Sequence, residues 1–203
     1  MKFSSRLLEQ AVEALSGLPT IGKKTALRLA LYLLKQDKEK VKSLANALIA
    51  MAEKVNKCIY CFNLSDDRVC QICADDSRDH QILCVVESIR DVMAIEETGQ
   101  FNGRYHVLGG IISPIDGVGP EQLTIDALQE RVQKESIKEL IMAVSPTIEG
   151  ETTIFYISRQ LAPLGVSIST IARGVSFGGE LEYADELTLG RSIVARLPYK
   201  ANL

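Results

Sequence analysis

Cys58, Cys61, Cys70 and Cys73 stand in a C-x2-C-x8-C-x2-C pattern. Each CxxC turn presents two thiolates to one ion, and two such turns complete the tetrahedral shell that Zn2+ takes at Zn–S distances of ~2.3 Å. Four protein ligands leave no open position for water or substrate. The spacing therefore predicts one structural Zn2+ per chain, a clip that ties a short loop together rather than a reactive centre. Two disulfides or a CxxC redox pair are the competing uses of these residues. The opening MKFSSRLLEQ carries no charged start followed by an apolar run and a small-residue cleavage site, so a reduced, cytoplasmic setting is expected. Cys84 lies in the apolar run Ile82–Val86 and reads as a small buried residue. His80 and His106 read as incidental to the metal.

The clip divides the charge of the chain. Of 203 residues, 46% are hydrophobic, and no apolar run reaches the ~20 residues of a membrane span. Residues 1–57 hold 11 Lys and Arg against 5 Asp and Glu, a balance of +6, whereas the remainder holds 12 against 21, a balance of −9. A basic segment joined to an acidic body suits a chain that meets phosphates at one end and protein or metal at the other.

Helical spacing predicts a first helix from Leu7 to Leu15, with Leu7, Leu8, Ala11, Val12 and Leu15 on one stripe, and a second beginning after Gly22. Between them lies Gly17-Leu18-Pro19-Thr20-Ile21-Gly22, a helix-hairpin-helix pattern. Such a turn exposes backbone N–H groups at a helix N-terminus, where the dipole favours an anion, and Lys23, Lys24 and Arg28 follow within two turns. A plain hairpin with solvated lysines is the bland alternative. Thr20 occupies a position where this motif commonly has glycine, so a looser turn is expected. A third helix near Asp37 carries Val41, Leu44, Ala45, Leu48, Ile49, Ala52 and Val55 on one face and leads to the clip.

From Gln81 onward, short β-rich runs alternate with helical ones. Strands are predicted at Ile82–Val86, Tyr105–Leu108, Glu139–Val144 and Val166–Ile171, and helices at Ile89–Glu97, Pro120–Lys134 and Glu151–Leu164. That alternation predicts an α/β fold with a mostly parallel sheet, whose function collects beyond the strand C-termini. Those ends carry Glu87, Gly109-Gly110 and the segment Ser145-Pro146-Thr147-Ile148-Glu149-Gly150-Glu151. Their carboxylates are expected to converge, although solvated loop acids would look the same.

A strand ending in Glu87, with a later strand ending near an acidic turn, resembles the Toprim domain of topoisomerases, primases and related nucleases. Catalytic members carry D-x-D-x-x-G after this strand and use the aspartates to help bind Mg2+. Here the aspartate positions are Ser145 and Thr147. Loss of two carboxylates weakens Mg2+ binding and charge stabilisation, so the resemblance implies the fold without the catalysis. An Mg2+-dependent DNA-cleaving or DNA-rejoining enzyme is the rival, and a zinc-stabilised oligomerisation module without DNA contact is a third possibility.

The order of parts, helix-hairpin-helix, four-cysteine finger, degenerate Toprim domain and short C-terminal segment, looks like the RecR family of bacterial recombination mediators along essentially the whole chain. The matching segments are Leu18–Ala30, the four cysteines, Val85-Val86-Glu87-Ser88, Ser113–Pro120, Pro146–Glu151 and Gly178-Gly179-Glu180-Leu181-Glu182-Tyr183. Departures are Thr20 for glycine, Ser145 for asparagine, Arg173 for histidine and Ser176 for proline. The resemblance implies four regions: 1–57 for DNA, 58–73 for zinc, 81–176 as Toprim domain and 177–203 for packing or subunit exchange. It also implies a homo-oligomer, dimer or tetrameric ring, that clamps single-stranded and gapped or junction DNA. RecO and RecF are the implied partners in loading RecA. By the same carry-over, Lys24 and Arg28 fall on DNA-contacting positions, and Glu87, Glu149 and Glu151 on the acidic surface where RecO docks. The Gly178-Gly179 turn and the helix-compatible stretch Leu187–Leu197 are expected to pack or exchange rather than bind nucleotide, in the absence of a G-x-x-x-x-G-K-[ST] loop.

Overall fold

In the computed structural model, which describes residues 3–172, 174, 175, 178 and 180–198, the chain forms two compact units, one up to Val55 and one from Asn56. The first is helical: α1 (Arg6–Ser16), α2 (Lys23–Leu34) and α3 (Lys38–Lys54). Ser5 caps α1 by accepting from the Leu8 N–H at 3.3 Å, and Asp37 caps α3 by accepting from the Glu39 N–H at 3.3 Å. Helices α1 and α2 close on Val12, Ala26 and Ala30, with Phe3, Leu8, Leu15, Ile21 and Leu27 around them. The two alanines let the backbones approach, and the larger side chains seal the sides.

Helix α3 forms where expected and leaves its apolar face largely open. It has no buried residue, and Leu44, Leu48 and Ile49 are each about half exposed. The periodicity makes a stripe, but the described residues of the chain do not cover it.

In the second unit, β1 (Asn56–Lys57) pairs antiparallel with β2 (Leu64–Ser65), and the one-turn α4 (Gln71–Ala74) follows. These frame the cysteines. The sheet then follows as β3 (Asp79–Val86), β4 (Gly103–Val107), β5 (Glu139–Ala143) and β6 (Ser167–Thr170), all parallel in the order β4-β3-β5-β6. Crossovers run through α5 (Ile89–Glu97), α6 (Ile125–Lys134) and α7 (Ile148–Leu161), and α8 (Glu186–Val194) lies beyond the last strand.

Alternation along the strands makes two cores. Leu83, Val85, Leu140 and Met142 face Leu128 and Val132 of α6 and Ile157 and Leu161 of α7. On the other side, Cys84, Val86, Tyr105 and Ala143 pack with Val92 of α5 and with Phe62 and Ile72 from the cysteine segment. Strands apolar on both faces are what a covered parallel sheet requires. Cys84 is a packing residue as expected, its thiol pushed up to about 12 by burial.

Two helix boundaries move. The expected Pro120–Lys134 helix is a 3-10 turn at Pro120–Gln122 followed by α6 from Ile125. The break falls at Thr124, whose N–H donates to Leu108 O at 3.1 Å and whose Oγ1 donates to Val107 O at 2.8 Å. Those bonds to the end of β4 replace helical ones. Helix α7 starts at Ile148, before the expected Glu151, because Thr147 caps it by accepting from the Gly150 N–H at 3.1 Å.

Candidate functional site

Phe62, the residue after the second cysteine, holds a left-handed φ of 62°, and its N–H returns to Cys58 O at 3.0 Å. That reversal aims Cys58 and Cys61 at the same point. Cys70 and Cys73 meet them from the start of α4, and all four sulfurs are buried and lie within 4.8 Å of one another. Cys61 and Cys70 are 3.5 Å apart at sulfur, close to the ~3.8 Å edge of a tetrahedron with ~2.3 Å arms. The Cys70 N–H points at Cys58 Sγ at 3.4 Å, the backbone support a charged thiolate uses.

The protons of this cluster are contested. Hydrogen bonds from Cys61 and Cys73 hold the Cys70 thiol down to about 2, while the hydrogen bond to Cys70 pushes the Cys61 thiol far up. Four sulfurs so close cannot all ionise without a cation among them. The donor set therefore fits one Zn2+ in a closed shell, as the spacing predicts.

The clip is seated on the outer edge of the sheet. Strand β4 is that edge, and its Val107 N–H donates to Cys61 O at 2.8 Å. Arg104 Nη2 donates to Cys73 O at 3.0 Å, and the Phe62 ring meets His106 edge-on at 5.4 Å. Arg131, buried in α6, donates to Tyr105 O at 2.6 Å and reaches Tyr60 O at 3.5 Å. His106 is thus a packing residue, fully buried, with Nε2 3.0 Å from Thr124 O and its pKa lowered to about 4 by burial. His80 Nε2 lies 2.7 Å from Arg104 Nη2, outside the metal shell. Sequence reasoning missed Arg104 and Arg131; lone arginines about 30 or more residues from the cysteines carry no local signal.

In the first unit the hairpin turn is tighter than the sequence suggests. Ile21 N–H donates to Leu18 O at 3.2 Å, and Thr20 takes φ 67°, the left-handed position a glycine would take after Pro19. Lys24 and Arg28 line a shallow groove of about 430 Å³ with Leu27, Leu31, Tyr32 and Lys35. Lys23 lines a separate depression with Glu9 and Glu13 of α1. Tyr32 and Lys35 lie eight and eleven residues after Lys24, a helical spacing from which they are readable.

At the C-terminal end of the sheet, Glu87 Oε1 accepts the N–H of Ser145. A Cβ on Gly150 would collide with Ser145 O, so glycine is what lets α7 start beside this turn. The two strand ends are therefore joined, and Glu149 and Glu151 follow in the first turn of α7, where the helix dipole favours acid. Ser145 gives its N–H to Glu87 and Thr147 uses its hydroxyl as a cap. Thr188 and Arg191 of α8 line a cavity of about 240 Å³ with Val144, Pro146 and Ile171. Gly178 has φ 81°, whereas Arg173, Ser176 and Gly179 lie outside the described residues.

Fold and site together define a Toprim-type α/β domain with a four-cysteine clip on its sheet edge, in a chain that begins with a helix-hairpin-helix unit. Family models match in the same order: the RecR helix-hairpin-helix at residues 8–52, the RecR four-cysteine zinc finger domain at 55–75, the Toprim domain at 81–172 and the RecR C-terminal region at 174–196. "Recombination protein RecR" of Flavobacterium johnsoniae is 59% identical over 98% of this chain and 97% of its own length. The proteins of the same name in Flavobacterium psychrophilum and Porphyromonas gingivalis are 58% and 57% identical, over 98% of this chain and 97% and 96% of theirs. The chain belongs to the RecR family.

Proposed function

We propose that this protein is a non-catalytic, DNA-binding mediator of recombinational repair. In this reading it is a cytoplasmic clamp that acts with RecO and RecF to promote RecA loading on single-stranded DNA. The observation that carries the proposal is the groove of α2, where Lys24, Arg28 and Lys35 run from the helix start near the hairpin turn to its far end with no acidic side chain among the lining residues. Backbone N–H groups of the turn and three cations suit phosphates without regard to base sequence. Lys23 adds charge at the same helix end. The names of the relatives support the pathway.

Glu87, Glu149 and Glu151 are the proposed docking acids for RecO. Their place at one end of the sheet supports that assignment, and the Ser145 turn held by Glu87 gives a fixed surface to dock against. Neutral Ser145 and Thr147 in the metal-binding positions support an adaptor rather than an enzyme. The described residues contain no helix long and apolar enough to cross a membrane. The exposed apolar stripe of α3 supports self-association into a dimer or ring. The four-part division at 1–57, 58–73, 81–176 and 177–203 goes with this proposal, each part serving DNA, zinc, partner and packing in turn.

The test is DNA affinity as a function of salt. Lys24→Ala combined with Arg28→Ala is expected to weaken binding and to lower the slope of log affinity against log salt by about two units, one for each lost phosphate contact. An unchanged slope refutes the assignment. Mg2+-dependent strand cleavage by the purified protein, abolished by Glu87→Gln, refutes the non-catalytic reading.

A further inference from the structure

We infer that the groove of α2 holds an unpaired DNA strand, with one base stacked on Tyr32 and the flanking phosphates on Lys24, Arg28 and Lys35. This rests on the proposed DNA-binding function and names the form of DNA that the groove accepts. Phosphate contacts account for the three cations but not for what lies between them. Tyr32 is 59% exposed and Leu31 43%, on a helix that already buries Ala26 and Ala30 elsewhere. Leu27 and Leu31 line the same groove as the cations.

Positions 24, 28, 32 and 35 fall within about 80° of helical arc and span about 16 Å along the axis. The cations therefore form a track with an aromatic ring set into it. That is the composition by which proteins hold single strands, a basic groove following the backbone and aromatic faces receiving bases. A duplex keeps both faces of each base inside its own stack and has none to offer Tyr32. Phosphates of a duplex still meet Lys24 and Arg28, so the ring discriminates between the two forms. Stacking uses the ring and not the hydroxyl, which sets the conservative control.

The test uses the full chain and fluorescence anisotropy with a labelled oligothymidylate and a duplex of equal length. Tyr32→Ala is expected to weaken oligothymidylate binding about ten-fold, the loss typical of one stacked base, with the salt slope unchanged. Duplex binding should stay within about two-fold, and Tyr32→Phe should match the parent on both ligands, as expected if only the aromatic face contributes. Tyr32→Leu, which keeps apolar bulk without a ring, should behave as Tyr32→Ala and serves where the alanine variant folds poorly. Equal losses on both ligands, or no loss on either, overturn the inference. So does a fall in the native mass of Tyr32→Ala, which would make the ring a contact between copies. Failure of the DNA reading itself shows differently: Lys24→Ala with Arg28→Ala would leave both ligands bound as before.

Discussion

Thr20 illustrates how a single residue can obey the backbone against its own preference. A β-branched side chain at φ 67° costs roughly 1–2 kcal/mol, yet the turn after Pro19 needs that conformation to bring α2 back along α1. The looser turn expected from the missing glycine is not formed, because the packing of Ala26 and Ala30 against Val12 fixes where α2 must begin. His106 obeys burial in the same way. Its ring is neutral inside the sheet edge, with a pKa of about 4 against an ordinary 6.5. Between those values only the unfolded chain takes up the proton, so the stability held above pH ~6.5 is lost as pH falls toward ~4, about 3 kcal/mol in all. Urea unfolding of the parent and of His106→Gln at about pH 7 and about pH 5 should show the parent losing about 2 kcal/mol more between them. Parallel losses would mean that the ring is not held neutral.

Among the elements, the cysteine segment and β4 are the pair whose relation matters most. An edge strand offers unpaired N–H and C=O groups, and natural proteins cover such edges. Here the clip does so, through Val107 N–H to Cys61 O and Arg104 to Cys73 O, while Arg131 donates to Tyr105 O of β4 and reaches Tyr60 O of the clip. Because the binding energy of a structural zinc is folding energy, its loss should be felt in the sheet. Hydrogen exchange of the chelated protein, or of Cys58→Ser, is expected to show lost protection at the Val107 amide and along β4, while α1 and α2 keep theirs. Full retention at β4 would separate the clip from the sheet. The early start of α7 has a similar local cause. The Thr147 cap and the absence of a Cβ at Gly150 draw Glu149 and Glu151 into a helical turn, although an acidic Gly-containing stretch reads as loop in isolation.

Taken whole, the molecule is two units joined between Val55 and Asn56, one carrying the positive excess and one the negative. The apolar stripe of α3 is one feature of the first unit that stays exposed among the described residues. Leu44→Glu with Leu48→Glu is expected to lower the native mass of the purified protein toward that of one chain of 22.3 kDa while helical content is kept, because neither side chain is buried in the chain itself. A mass unchanged by both substitutions would place self-association elsewhere.

The sequence by itself determined the metal, the order of the elements and the sign of each unit's charge. Each depends on residues near one another along the chain: two CxxC turns, strand and helix periods, and runs of lysine or glutamate. Tertiary structure alone decided what the clip rests on, why α6 and α7 begin where they do, how Glu87 joins the Ser145 turn, and which of Lys23 and Lys24 enters the groove. Those outcomes rest on contacts between residues tens of positions apart, such as Cys61 with Val107 and Glu87 with Ser145. No local pattern encodes such contacts, because the same residue types at the same spacing would form the same elements with other partners across the sheet.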